Sequence, residues 1–487
     1  MLTVDGRVLD APRLVYGGKS SLTARFGSWN MIGNRVSAGA RISNWTFFEI
    51  QFGRTALDTP IVELMAEFRD MMQKTGLTVD PPNPAPGLPP LQLLKDRPYT
   101  HQAAIEQWFK NIRTTTKARF IYIVLPAKSA QIYSHIKYLG DVAHGLTTVC
   151  AVAAKLEKNN KGSRAQYLAN VALKWNLKRG GINQQLPPDK MGILGNTKTM
   201  LVGIDVTHPS PGSQEGAPSI AGVVASIDSK YGQWPASVAC QESRKEMVSG
   251  LEDMMVERLK IYQKHNQQAL PQNILVYRDG VSEGQYQTVL REESPAIDAA
   301  IRRIYPAKGA KPKVSIIVVG KRHHTRFFPT KKEEADQRSG NCVNGTVVDR
   351  GVTSERFWDF YLQAHTGIQG TARPAHYVVV QDRIGLGADG LEQLVCITPY
   401  PRSTPHMHAN DLIQTHNLCY LFGRATKAVS ICPPAYYADL LCTRARCYLG
   451  EVLDGSDAAS SSAGFVQANA RWVSGVHDDL KDTMFYI

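Results

Sequence analysis

The sequence predicts an α/β fold built from two successive domains. Three observations carry that expectation. Helical and extended patterns alternate between residues 101 and 178, apolar strands recur from residue 199 onward, and at 487 residues the chain exceeds one ordinary core of about 100 to 200 residues.

The first 60 residues hold short apolar and aromatic segments between glycines, Val15-Tyr16 and Trp45-Thr46-Phe47-Phe48 among them, and read as a linker with a small sheet. The proline-rich run from Pro81 to Pro90 cannot continue a helix or a ladder, so a loop is expected there. A helix over 101–113, a strand over 119–125, a helix over 129–143, a strand over 146–152 and a helix over 163–178 then follow. Such alternation marks a parallel sheet joined by crossover helices.

Strands over 200–206, 219–227 and 234–241 come next and suggest a meander. The helix expected over 243–265 places Met247, Leu251, Met254, Met255, Leu259 and Tyr262 on one face, a core stripe. Strands over 273–278, 314–319 and 376–381 and helices over 407–422 and 434–449 complete the pattern. Polar stretches at 329–341 and 455–464 read as mobile loops.

Lys plus Arg exceed Asp plus Glu by 56 to 43, a formal charge of +13, which favours phosphate-rich partners. The strongest apolar runs, Phe120 to Pro126 and Val314 to Val319, are far too short to span a bilayer, so no membrane role is expected. Eight scattered cysteines form no C-x-x-C pair and have no His at zinc spacing. A reduced, cytoplasmic protein is the simplest reading.

Leu201-Val202-Gly203-Ile204-Asp205 is an apolar strand ending in an acid, and Ile274-Leu275-Val276-Tyr277-Arg278-Asp279 repeats the device. If the two strands are neighbours, the two carboxylates face each other. Such a pair can hold Mg²⁺ ions that orient a water and stabilise a leaving oxygen in phosphodiester cleavage. An acid at a strand end also serves to cap a turn, so neither motif decides the matter by itself. Asp439 lies on the helix after Pro433-Pro434, and its neighbours leave its facing open.

Three longer motifs stand in order along the chain: Gly203-Ile204-Asp205-Val206-Thr207-His208-Pro209, Tyr277-Arg278-Asp279-Gly280-Val281-Ser282-Glu283-Gly284-Gln285-Tyr286, and Lys321-Arg322-His323-His324-Thr325-Arg326-Phe327-Phe328. They resemble the PIWI motifs of eukaryotic, fungal-type Argonautes. Pro434-Ala435-Tyr436-Tyr437-Ala438 with Arg444-Ala445-Arg446 adds a fourth match, and Gly6-Arg7-Val8-Leu9 and Tyr16-Gly17-Gly18-Lys19 are similar to that family's linker before the MID domain.

The resemblance implies a linker and the start of MID over 1–98, a Rossmann-like MID domain over 99–185 and an RNase H-like PIWI domain over 186–487. The family's N and PAZ domains fall outside the chain. It further implies a slicer, a divalent-metal-dependent endoribonuclease whose catalytic set is Asp205, Glu246, Asp279 and Asp439. Asp205, Asp279 and Asp439 would hold Mg²⁺ or Mn²⁺. Glu246 is chosen over Glu242 and Glu252 by its place in Arg244-Lys245-Glu246-Met247, and Asp439 stands where many animal relatives have His.

Tyr133 and Lys137 lie four apart on one expected helix, and Lys174 and Lys178 four apart on another, so each pair shares a face. A ring beside ammonium groups suits a terminal nucleotide. By resemblance these four, with Arg444, hold the 5′ phosphate of a small guide RNA. Val149 stands where many relatives have a pocket glutamine, and Thr148 beside it could supply the contact. The loop 125–129 falls where the family reads the first guide base.

Arg322, His324, Arg326, Arg424, Lys427 and Tyr436 resemble guide-backbone contacts, which give affinity without sequence information. Sequence choice would then come from pairing with a complementary target RNA. The expected partners are guide RNA, target RNA and silencing proteins. The stretch from Ile384 to His408, with His406-Met407-His408, looks like an insertion relative to animal members. The second reading, from a different class, is a guide-binding module that recruits partners and does not cut.

Overall fold

The computed structural model describes residues 2–31, 33–84, 87–157, 161–213, 216–367, 369–386, 415–449 and 475–487. The expected loop at 455–464 and nearly all of the stretch from 384 to 408 lie outside them.

Two sheets organise the molecule. The smaller places Leu91–Gln92, Trp45–Gln51, Phe120–Leu125 and Thr147–Val152 side by side, every pair parallel. The aromatic run at Trp45 is therefore an inner strand of this sheet rather than part of a small linker sheet. Its residues are buried from Trp45 to Ile50, as a strand covered on both faces requires. The helices Ile61–Lys74, His101–Thr115 and Lys161–Lys178 cover it.

The larger sheet runs Arg7–Val8, Thr346–Val348, Trp358–Gln363, Ala375–Asp382, Lys313–Gly320, Asn273–Asp279, Thr199–Thr207, Ser219–Ala225 and Ala236–Gln241 in spatial order. Thr199–Thr207, Asn273–Asp279 and Lys313–Gly320 are mutually parallel, and the other two strands of the expected meander extend the sheet beyond Thr199–Thr207, each antiparallel to the one before. The helix Pro433–Arg446 lies across Thr199–Thr207 and Ser219–Ala225. Gly203 makes that approach possible: a Cβ there would come within 1.9 Å of the Pro434 carbonyl oxygen.

Several expected helices are reshaped. The one at 129–143 is α-helical over Ala130–Tyr138 and then widens to a π-turn over Leu139–His144. The one at 243–265 begins only at Leu251. Residues 242–250 form a loop instead, because Gln241 holds it from within: its amide donates to the Lys245 and Met247 carbonyls and accepts from Ser249 N–H. Of the helix expected over 407–422, the described residues hold Thr415–Leu418, with turns after it. The helix Pro433–Arg446 ends three residues early, in a 3₁₀ turn over Cys447–Leu449.

Candidate functional site

Because Ile204 pairs with Arg278 in parallel register, the next residue on each strand, Asp205 and Asp279, emerges at the same end of the sheet. The helix seated on Gly203 brings Asp439 to the same place. The charge of Asp439 reaches both strand acids. Burial, reinforced by the charges of Asp279 and Asp439, pushes Asp205 up to about 7. Burial likewise lifts Asp279 to about 6, against the opposing bond from Gly280 N–H at 2.7 Å. Asp439 sits at the solvent edge and is also raised by partial burial, with the Arg322 guanidinium acting in the other direction.

Glu246 joins them from the loop rather than from a helix. Its Oε1 accepts from Arg278 Nη1 at 2.9 Å, and its Oε2 lies 2.8 Å from His208 Nε2. The other ring nitrogen of His208 meets Ser219 Oγ at 2.8 Å. Arg278 is fully buried and also bonds Glu293 through Nε at 3.0 Å. Gly280, at φ +88°, sits opposite: a Cβ there would lie 3.2 Å from Glu246 Oε1 and 3.5 Å from Asp205 Oδ1, so both oxygens face one point. Sequence reasoning missed the support formed by His208, Arg278 and Glu293. Two of these lie inside quoted motifs, but only the fold shows that they hold Glu246.

Among the described residues, no three or more His, Cys, Asp or Glu side chains stand close enough together to hold one metal ion as they are placed. The donor chemistry nevertheless fits a hard divalent cation, since Asp205, Asp279 and Asp439 are all-oxygen ligands whose pKa values burial raises. Arg278, the buried cation beside them, is engaged with Glu293 and Glu246.

A second cluster forms between the two sheets. Lys137 is buried and donates from Nζ to the Thr148 carbonyl at 2.9 Å and to Thr148 Oγ1 at 2.8 Å, with its ammonium 5.2 Å from the Tyr133 ring centroid. Lys178, also buried, donates to the Phe485 carbonyl. Arg444 reaches in from the Asp439 helix, pairs with Asp141 at 2.9 Å and donates to the Ile487 carbonyl at 3.4 Å. Burial, together with Arg424, Lys137 and Arg444, lowers Lys174 to about 8. Tyr133, Lys137, Thr148, Lys174, Lys178, Arg424 and Arg444 thus converge, and burial first, then the like charges of Arg424, Lys137 and Arg444, holds Lys174 below the usual lysine range.

The remaining basic residues distribute unevenly. Arg322 and His324 are exposed, and Arg322 acts on both Asp279 and Asp439. Arg326 folds back on its own chain, donating to the His323 and Thr325 carbonyls at 2.9 and 2.7 Å. Lys427 is exposed and Tyr436 half-buried against Phe422. His323 donates from Nε2 to the Pro374 carbonyl at 3.0 Å.

Residues 120–450 match the family model described as the Piwi domain. Argonaute 5 of Arabidopsis thaliana is 34% identical over an alignment that covers 100% of this chain and 47% of that protein. The chain spans about half the length of the curated relatives it matches. Among solved structures, the Kluyveromyces polysporus Argonaute with a guide RNA superposes with a TM-score of 0.79 at 28% identity, covering 99% of this chain and 56% of that one. The MID-PIWI domains of N. crassa QDE-2 superpose with a TM-score of 0.63 at 29% identity, covering 93% and 100%.

Proposed function

The chain belongs to the Argonaute family through its Piwi domain, with a Rossmann-like MID fold before an RNase H-like PIWI fold, and from that premise we propose that it holds a small guide RNA by its 5′ phosphate and cuts the RNA paired to it. One observation carries the cutting half of this reading: Asp205 and Asp279 emerge at one end of the sheet, where burial and the charge of Asp439 on the overlying helix raise the pKa of both.

Asp205, Asp279 and Asp439 would hold Mg²⁺ or Mn²⁺. A divalent ion bound there supplies charge stabilisation to a phosphodiester under attack by water. Glu246 enters the same pocket beside Asp205 and is kept in place by His208 and Arg278. A scissile phosphate brought against these acids would be attacked in line, leaving a 3′ hydroxyl and a 5′ phosphate. Burial holds the Asp205 and Asp279 carboxyls above the usual carboxylate range, and a divalent cation bound there would favour their ionised forms.

The 5′ end would sit in the basic cluster, with Tyr133 stacking on the first base and Lys137, Lys174, Lys178 and Arg444 facing the phosphate. Thr148 is oriented by Lys137 and stands ready as a further contact. Arg322, His324, Arg326, Arg424, Lys427 and Tyr436 would carry the guide backbone away from it. Target RNA and silencing proteins are the further partners this reading requires, and a cytoplasmic setting suits it. Among the described residues no helix is long and apolar enough to cross a membrane, and the described cysteines are free thiols.

The test is to load a 5′-phosphorylated guide RNA, add complementary RNA with Mn²⁺ or Mg²⁺, and compare Asp205→Asn with the unaltered chain. We expect roughly a 100-fold or greater loss of cleavage, because the amide withdraws a negative ligand from the cation that would stabilise developing charge, with guide retention unchanged. Equal cleavage by the variant sinks the catalytic assignment. Binding without any cleavage by the unaltered chain leaves the binding-module reading.

A further inference from the structure

The loop Arg25-Phe26-Gly27-Ser28 lies far from both clusters in sequence and is fastened to the segment at 426–428. Arg25 and Ser28 bond each other's backbone, Gly27 accepts from Ala428 N–H at 2.7 Å, Trp29 N–H donates to Thr426 at 3.0 Å, and Ser28 bridges to Lys427. On the other side Thr366 Oγ1 donates to the Phe26 carbonyl at 2.8 Å. The neighbouring His365 stands near both Lys321 and Lys427, and its Nδ1 is buried without a partner among the described residues.

At the tip of this fastened loop Phe26 points outward. Its side chain leaves the residue 46% exposed, its backbone is held at φ +52°, and the Arg338 guanidinium lies 4.9 Å from its ring centroid. A left-handed backbone is unfavourable for a bulky residue, and an exposed cation–π contact returns no more than that conformation costs. Stability alone therefore does not account for an aromatic here. A flat ring with one guanidinium beside it, next to the exposed Lys427 and Arg25, has the make-up of a stacking site on a single strand.

We propose that Phe26 and Arg338 form a stacking platform for one base of the RNA strand whose backbone passes Lys427. This rests on the guide-binding reading above and adds to it a contact from the N-terminal loop. Stacking tolerates any base, so the platform would fix the strand's path without selecting sequence.

The probe is a 5′-phosphorylated single-stranded RNA carrying one 4-thiouridine, scanned position by position, with crosslinks mapped by mass spectrometry. Phe26→Asn removes the ring but keeps a residue that tolerates the left-handed backbone, and Phe26→Trp keeps a ring. We expect a crosslink to the 25–28 loop from one position of the RNA, lost in Phe26→Asn and kept in Phe26→Trp, with affinity falling roughly fivefold in the former. If Phe26→Asn crosslinks and binds like the unaltered chain while Lys427→Ala and Lys137→Ala both weaken binding, the platform is overturned and the guide reading stands. If none of the three changes binding, both fall together. A melting temperature unchanged in Phe26→Asn confirms that the ring, not the fold, is being read.

Discussion

Asp141 and Arg444 form a buried ion pair 2.9 Å long, joining the π-turn beside the smaller sheet to the helix that carries Asp439. Tyr448 donates to the same carboxylate oxygen at 2.7 Å. Asp141→Ala removes the partner of a guanidinium that is itself only 6% exposed. Breaking one side of a buried pair costs about 3–5 kcal/mol. The denaturant midpoint should fall accordingly, and a midpoint equal to that of the unaltered chain would refute a structural role for the pair.

His208 touches Glu246 and leaves the three aspartates alone. His208→Ala removes one of the two groups that orient the Glu246 carboxylate, while the Arg278 bond remains. Supporting bonds of this kind are worth about 10- to 100-fold in activity. Cleavage should drop by that factor with guide affinity unchanged, and His208→Gln, which can still donate to Glu246, should recover part of it. A loss of guide binding in step with cleavage would show that His208 serves the fold instead.

The positions of Asp205 and Asp279 were open to reading because each ends an apolar strand, and parallel pairing then makes them neighbours. Asp439 could not be oriented from periodicity. Its facing depends on Pro434 settling onto Gly203, a contact between segments more than two hundred residues apart that no local pattern records. Glu246 falls inside the helix that the apolar stripe from Met247 to Tyr262 predicts over 243–265, yet Gln241 holds that stretch as a loop with side-chain bonds. The lysine pairs were visible as helix faces. Their burial was not, because Thr148, Phe485 and Asp141 complete the cluster from elsewhere in the chain.

Lys174 gives the basic cluster a pH signature. Its folded pKa is lowered to about 8 by burial and by Arg424, Lys137 and Arg444. A bound dianion favours the charged ammonium and raises that value, so above pH 8 binding must take up a proton. The advantage of a 5′-phosphorylated over a 5′-hydroxyl RNA should therefore shrink as pH rises from 7 to about 9. Lys174→Arg stays charged throughout and should flatten the dependence. Competition binding at the two pH values decides it, and an advantage that grows with pH would contradict the assignment of Lys174 to the phosphate.

Gly203 tests whether the Asp439 helix belongs to the site or merely covers it. An alanine Cβ would meet the Pro434 carbonyl oxygen at 1.9 Å and its carbonyl carbon at 2.2 Å, and both are backbone atoms that no rotamer change can move aside. The helix must lift or the strand must bend, and overpacking of this kind costs about 1–3 kcal/mol or more. Because Asp205 follows two residues after Gly203 and Asp439 rides on the displaced helix, the same change separates the acids. Gly203→Ala should thus lower both the denaturant midpoint and Mn²⁺-dependent cleavage, while 5′-phosphate selectivity, set largely by Lys137, Lys174 and Lys178, changes less. The control is Gly212→Ala, at a glycine whose Cβ would meet nothing within 4 Å, although its φ of +87° carries a modest backbone cost. Cleavage preserved in Gly203→Ala at a matched fraction of folded protein would detach Asp439 from the chemistry and leave Asp205, Asp279 and Glu246 to account for it.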